Sequence, residues 1–163
     1  MRSLSPSSIP VGQRTRRLLP ALAAVMALLQ SAPAGATGGL SCKADDLNLE
    51  LAVSASLRHG ADGQFLGLTG RLVIRAGAPA ELARLQLRLA DLPQRWLSRS
   101  ALKLRLFRET ARGAFMVLDI ETASGPEEEG EYRGSYSLTL FDPRKGAGAE
   151  QTVLTGKAAC TAE

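Results

Sequence analysis

Apolar and polar residues alternate with a period of two over most of the chain beyond residue 46. Leu47, Leu49, Leu51, Val53, Ala55 and Leu57 alternate with Asn48, Glu50, Ala52, Ser54, Ser56 and Arg58. Leu66, Leu68, Leu72 and Ile74 repeat the pattern, with Gly70 at the missing apolar place, where a glycine predicts a bulge or bend. Between these runs, Asp62-Gly63 in His59-Gly60-Ala61-Asp62-Gly63 is a hairpin signal. Leu102, Leu104 and Leu106 then alternate with Lys103, Arg105 and Phe107. Met116, Leu118 and Ile120 alternate with Val117, Asp119 and Glu121. Tyr132, Gly134, Tyr136, Leu138 and Leu140 line a further run, and the stretch 152–160 reads as the last. Alternation of this kind puts one face of a strand in a core and the other in water.

The segment from Ala80 to Leu89 fits two periods. Leu82, Leu85 and Leu89 fit a helix face, whereas Leu85, Leu87 and Leu89 fit a strand. The expectation is a short helical turn running into a strand. Asp91, with Gln94 at capping-box spacing, predicts one helical turn over 92–97, with Leu92 meeting Trp96. Gly125-Pro126-Glu127-Glu128-Glu129-Gly130 and Asp142-Pro143-Arg144-Lys145-Gly146 read as polar breaks. About seven short strands with glycine-rich turns predict an all-β fold, an antiparallel β-sandwich or a small β-barrel.

The first 36 residues do not share this pattern. Arg2, Arg14, Arg16 and Arg17 precede an apolar run from Leu18 to Leu29, and Ala34-Gly35-Ala36 follows. These are the three parts of a cleavable export signal. The run falls short of the roughly 20 residues that span a bilayer, so no membrane anchor is expected after cleavage. The general secretory route is favoured over the twin-arginine route, which Arg16-Arg17 partly imitates. Cleavage after Ala34 and lipidation of Cys42 are the alternatives to cleavage after Ala36. The expected product is one domain over 37–163, placed in the periplasm of a Gram-negative cell or secreted.

Removing the leader changes the charge. The chain has 20 Lys and Arg against 16 Asp and Glu, but residues 37–163 carry 16 of each. A neutral exported domain lacks the cationic surplus that binding to nucleic acid requires. Cys42 and Cys160 are the two cysteines. In an oxidising compartment their simplest arrangement is one disulfide, which would set the first and last strands side by side. Two distant cysteines and one histidine do not make a metal set, and no cofactor pattern is present.

Catalytic readings fail on geometry. Ser100-Ala101-Leu102-Lys103 has Ser-x-x-Lys spacing, but on a strand it sends Ser100 and Lys103 to opposite faces. His59 lies in a glycine-rich turn with no nucleophile elbow to serve. Glu127-Glu128-Glu129 with Glu131 lacks the spacing of a calcium loop. Asp119 with Glu121 reads as a polar strand face, although carboxylates that meet only in space leave a hydrolase as an alternative.

The main binding candidate is a cationic outer face. Arg71 and Arg75 share one strand, Arg84 and Arg88 another, Lys103 and Arg105 a third. Such a face fits an anionic envelope component or an acidic periplasmic protein. Pairing with Glu109, Asp119, Glu121 and Glu131 would instead leave an ordinary salt-laced surface. The expected function is a non-enzymatic binding or accessory module of the bacterial cell envelope. In size, strand content and cysteine use the chain also resembles the small exported β-barrel lysozyme inhibitors, which implies inhibition of lysozyme as an alternative. Their Trp–Lys–Gly stretch has no counterpart, since Trp96 is followed by Leu97-Ser98.

Overall fold

The alternating segments fold as strands because each has one aliphatic face to bury, and they bury those faces against one another. The computed structural model describes residues 37–58, 64–125, 130–145 and 151–163. The export signal over 1–36, the turn at His59 and the glutamate run 127–129 lie outside the described residues. Nine strands form: β1 (Thr37–Asp45), β2 (Leu49–Arg58), β3 (Phe65–Ile74), β4 (Arg84–Arg88), β5 (Gln94–Leu97), β6 (Ala101–Glu109), β7 (Phe115–Ser124), β8 (Glu131–Phe141) and β9 (Thr152–Ala162). All belong to one antiparallel sheet in the order β4-β3-β2-β1-β9-β8-β7-β6-β5. It curls into a half-barrel whose concave side is the core.

The sheet is two meanders joined edge to edge. Strands β1–β4 form one, β5–β9 the other, and β1 pairs with β9 between them. Gly39 and Glu163 exchange both backbone hydrogen bonds, at 3.1 and 2.8 Å. By alternation Cys42 and Cys160, directly opposed, fall on a non-hydrogen-bonded pair, where antiparallel Cα atoms approach most closely. Their Cα atoms are 4.0 Å apart and the expected disulfide joins them. The bridge lies inside, with both cysteines buried.

The two edge strands, β4 and β5, are consecutive in sequence. Only residues 89–93 connect them, through a 3-10 turn at Leu89–Asp91. Counting antiparallel neighbours from β1 in each direction shows that β4 and β5 run the same way. They are two halves of one interrupted strand position, β4 bonded to β3 and β5 bonded to β6. No ladder closes the seam between them; side chains cross it. Arg108 on β6 donates to Asp91 Oδ1 at 2.8 Å and Oδ2 at 2.5 Å, and to the Gln86 carbonyl on β4 at 3.1 Å. Asp91 is buried and also accepts the Arg88 amide at 2.9 Å. Further along, the Arg95 guanidinium stands 5.4 Å from the centre of the Phe65 ring.

Several expectations are corrected. The strand count is nine, and the sandwich gives way to one curled sheet. The helical turn expected over 92–97 is instead strand β5, preceded by the 3-10 turn that Asp91 ends. Its four residues pair with β6, and that tertiary ladder overrides the local capping pattern. Residues 80–82 form a turn, not a helix. Leu47 is 92% exposed at the tip of the β1–β2 turn. The irregularity expected at Gly70 lies at Leu66, where Leu57 pairs with Phe65 and Ser56 with Gly67. The extra residue turns Leu66 outward and Phe65 into the core. Gly70 serves close approach instead: a Cβ there would stand 2.6 Å from the Ala52 carbonyl oxygen.

The remaining inward positions pack as the alternation implied. Leu49, Leu72, Leu102, Leu106, Met116, Leu118, Ile120 and Leu138 are fully buried. Aliphatic side chains thus fill most of the concave side.

Candidate binding surface

The six cations singled out in the sequence all project from the outer face of the sheet. They fall into two groups. Strands β3 and β4 are neighbours; Arg71 lies on β3 with Arg75 just past its end, and Arg84 and Arg88 lie on β4, while β6, with Lys103 and Arg105, stands next to β5 at the other end of the strand order.

Four of the six meet carboxylates on other strands. Arg71 pairs with Glu50. Arg75 lies 2.8 Å from Asp45 and 3.5 Å from Glu50, and also donates to the Asp46 carbonyl. Lys103 is 3.4 Å from Glu121. Arg105 holds Asp119 through two hydrogen bonds, at 2.6 and 3.0 Å. These are exposed cross-strand pairs, each contributing at most about 1 kcal/mol. They cancel field locally, so little net charge is left on β6 and β7. Arg84 and Arg88 differ. Both are exposed on β4, and among the described residues neither has a carboxylate at ion-pair distance.

Among the described residues, shallow clefts open on the outer surface, two of them larger than the one over β2 and β3 at Ser54 and Thr69. One, of about 280 Å³, lies over β5–β7 and is lined by Gln94, Trp96, Lys103, Arg105, Asp119 and Glu121. Trp96 is 63% exposed there. The other, of about 470 Å³, lies over β1, β9 and β8 beside Lys43, Asp45, Arg133, Lys157 and Ala159. Sequence reasoning missed this second group. Strand β1 was not read as a strand, although Leu40, Cys42 and Ala44 alternate with Ser41, Lys43 and Asp45 and would have placed Lys43 outward.

One polar contact lies partly inside. Tyr136 on β8 donates to Asp46 Oδ2 at 2.6 Å, while Asp46 Oδ1 accepts the amides of Asn48 (2.8 Å) and Leu49 (3.1 Å). Burial pushes the Asp46 carboxyl up. The bonds from Tyr136, Asn48 and Leu49, with Arg75 nearby, outweigh burial and hold it below the usual carboxylate value. Burial first, and the bond to Asp46 second, push the Tyr136 hydroxyl up to about 12. Gly156 makes room for the pair, since a Cβ there would stand 2.6 Å from the tyrosine oxygen.

Ser100 and Lys103 belong to the β5–β6 hairpin, where Ser100 donates its amide to Ser98 and Lys103 faces Glu121. Among the described residues no three His, Cys, Asp or Glu side chains gather as a metal set. Among them, too, no helix is long and apolar enough to cross a membrane. Comparison with protein-family models, with curated proteins and with solved structures finds no match to this chain.

Proposed function

We propose that this protein is a non-enzymatic binding or accessory module of the bacterial cell envelope, exported to the periplasm or beyond, which holds an anionic envelope component on its outer face. The carrying observation is the split among its cations. Carboxylates on neighbouring strands neutralise Arg71, Arg75, Lys103 and Arg105, whereas Arg84 and Arg88 have none among the described residues. Guanidinium groups in that state present paired N–H donors to carboxylate or phosphate oxygens. The disulfide fits an oxidising compartment.

Co-sedimentation of the purified protein with envelope fractions at low and high salt tests the proposal. Binding at low salt, reversed by high salt and lost on replacing Arg84 and Arg88 by Glu, is the expected result. Retention indifferent to salt and to both substitutions overturns it. On this reading a stoichiometric amount of the protein leaves lysozyme turnover unchanged, and inhibition would favour the lysozyme-inhibitor alternative.

A further inference from the structure

The chain has a single tryptophan, and Trp96 stands 63% exposed on the outer face of β5. Aromatic side chains carry the largest apolar area to bury, so a ring left in water keeps that gain in reserve for whatever covers it. The turn that ends β5 fixes it in place. Ser98 Oγ accepts the amides of Ser100 and Ala101 at 3.3 and 3.0 Å, and the Tyr132 hydroxyl, reaching from β8, donates to the Ser98 carbonyl at 2.9 Å.

The strand register frames the ring with polar groups. Trp96 opposes Lys103, which opposes Glu121; two residues along, Gln94 opposes Arg105, which opposes Asp119. All six line the cleft of about 280 Å³. Arg105 holds Asp119 through two hydrogen bonds and reaches Gln94 Oε1 at 3.4 Å, while Lys103 lies 3.4 Å from Glu121. Each of these two cations has its own carboxylate, so the four charges cancel. Their capacity for hydrogen bonds does not cancel. A carboxylate oxygen accepts from more than one donor, and the Gln94 amide offers both donors and an acceptor.

We infer that this cleft binds an uncharged glycan, one hexopyranose ring of which stacks on Trp96 while its hydroxyls bond to Gln94, Asp119 and Glu121. A pyranose with equatorial hydroxyls presents a weakly positive C–H face, which suits the negative face of an indole. Its rim of neighbouring hydroxyls donates to carboxylates and accepts from guanidinium and amide groups. The cleft supplies both partners side by side. A uronate or phosphate would have to approach Asp119 and Glu121, and a nucleic-acid strand needs a cationic surplus that the paired charges do not offer. Strands lie about 4.8 Å apart, close to the length of one ring in an extended glycan. Beyond β7 the two rows continue as Ser137 and Ser135 on β8, so a glycan crossing the strands meets further hydroxyls. The site shares no residue with Arg84 and Arg88 and does not depend on the anionic ligand proposed above.

As the sole tryptophan, Trp96 reports its own occupancy. Fluorescence titration of the purified protein with cellotetraose and with chitotetraose is the test, with glucose and the glucuronic acid tetramer of the same linkage as comparison probes. A saturable blue shift is expected with a neutral tetramer, at an affinity above that for glucose and little changed by salt. By calorimetry, Trp96→Ala weakens the same tetramer about tenfold and Trp96→Phe recovers part of the loss. Glu121→Gln, which keeps the shape and removes the charge, weakens it about tenfold while the circular dichroism spectrum is unchanged. The inference is overturned if neither neutral tetramer gives a saturable change, if the glucuronic acid tetramer binds as tightly as cellotetraose, if high salt releases the sugar, or if Trp96→Ala and Glu121→Gln bind as wild type.

Discussion

The two meanders meet twice, and the two junctions are built from different materials. At β1 and β9 the backbone does the joining: opposed residues from Leu40–Ala162 to Lys43–Ala159 form a continuous ladder, and Cys42–Cys160 adds a covalent link inside it. At β4 and β5 no ladder forms, because the two halves run in one direction and follow each other through 89–93. Side chains do the joining there, with Arg108 gripping Asp91 and the Gln86 carbonyl, and Arg95 covering Phe65. A junction of side chains can open without breaking a backbone ladder. Of the two junctions, the seam is accordingly the one whose opening costs less.

The largest effect that sharpens this contrast is loss of the disulfide. The cysteines are 118 residues apart, and chain entropy assigns a bridge of that span about 4–5 kcal/mol. Replacing both by Ala lowers the free energy of denaturant unfolding by that scale; a loss near zero would show that the ladder alone makes the junction. Next comes the seam. Asp91→Asn leaves Arg108 with a weaker acceptor and costs about 2–3 kcal/mol. Hydrogen exchange then accelerates at β4 and β5 and not at β1 and β9, and equal acceleration at both would erase the distinction. Gly156→Ala, which drives a methyl group into Tyr136 and Asp46, costs about 1–3 kcal/mol by thermal unfolding.

The smallest effect is Tyr136→Phe, at about 1 kcal/mol. The Tyr136–Asp46 bond crosses the first junction, from β8 to the turn after β1, and gives it a pH dependence. The carboxyl of Asp46 is depressed in the folded state, so its contribution is present above the ordinary carboxylate value and lost as pH falls through the lowered one. The Tyr136 hydroxyl is raised, so its contribution is present below pH 10 and lost as pH rises toward about 12. Ultraviolet titration checks this: Tyr136 ionises near pH 12, and its ionisation near the ordinary phenol value would refute it.

The core was legible because burial on one face leaves a period-two trace. Met116, Leu118, Ile120, Leu138 and Leu140 all sit where their alternation put them. Strand β5 left no such trace. Its residues, Gln94-Arg95-Trp96-Leu97, are mostly exposed, and β6 alone makes them a strand. Leu66 misled because a bulge exchanges faces without altering the sequence pattern. The cations on β3, β4 and β6 were readable as outward. Their division into neutralised and unneutralised groups was not, since Glu50 finds Arg71 only through the β2–β3 register.

The pairing of first strand with last also imposes an order of assembly. While the chain is being made, β1 has β2 on one side and nothing on the other until residues beyond 151 have emerged. Until β9 emerges the growing protein carries an unprotected strand edge, the kind that recruits a neighbouring chain. A chain shortened before β9 would keep that edge for good, so truncation near the end turns a self-contained sheet into a template for aggregation.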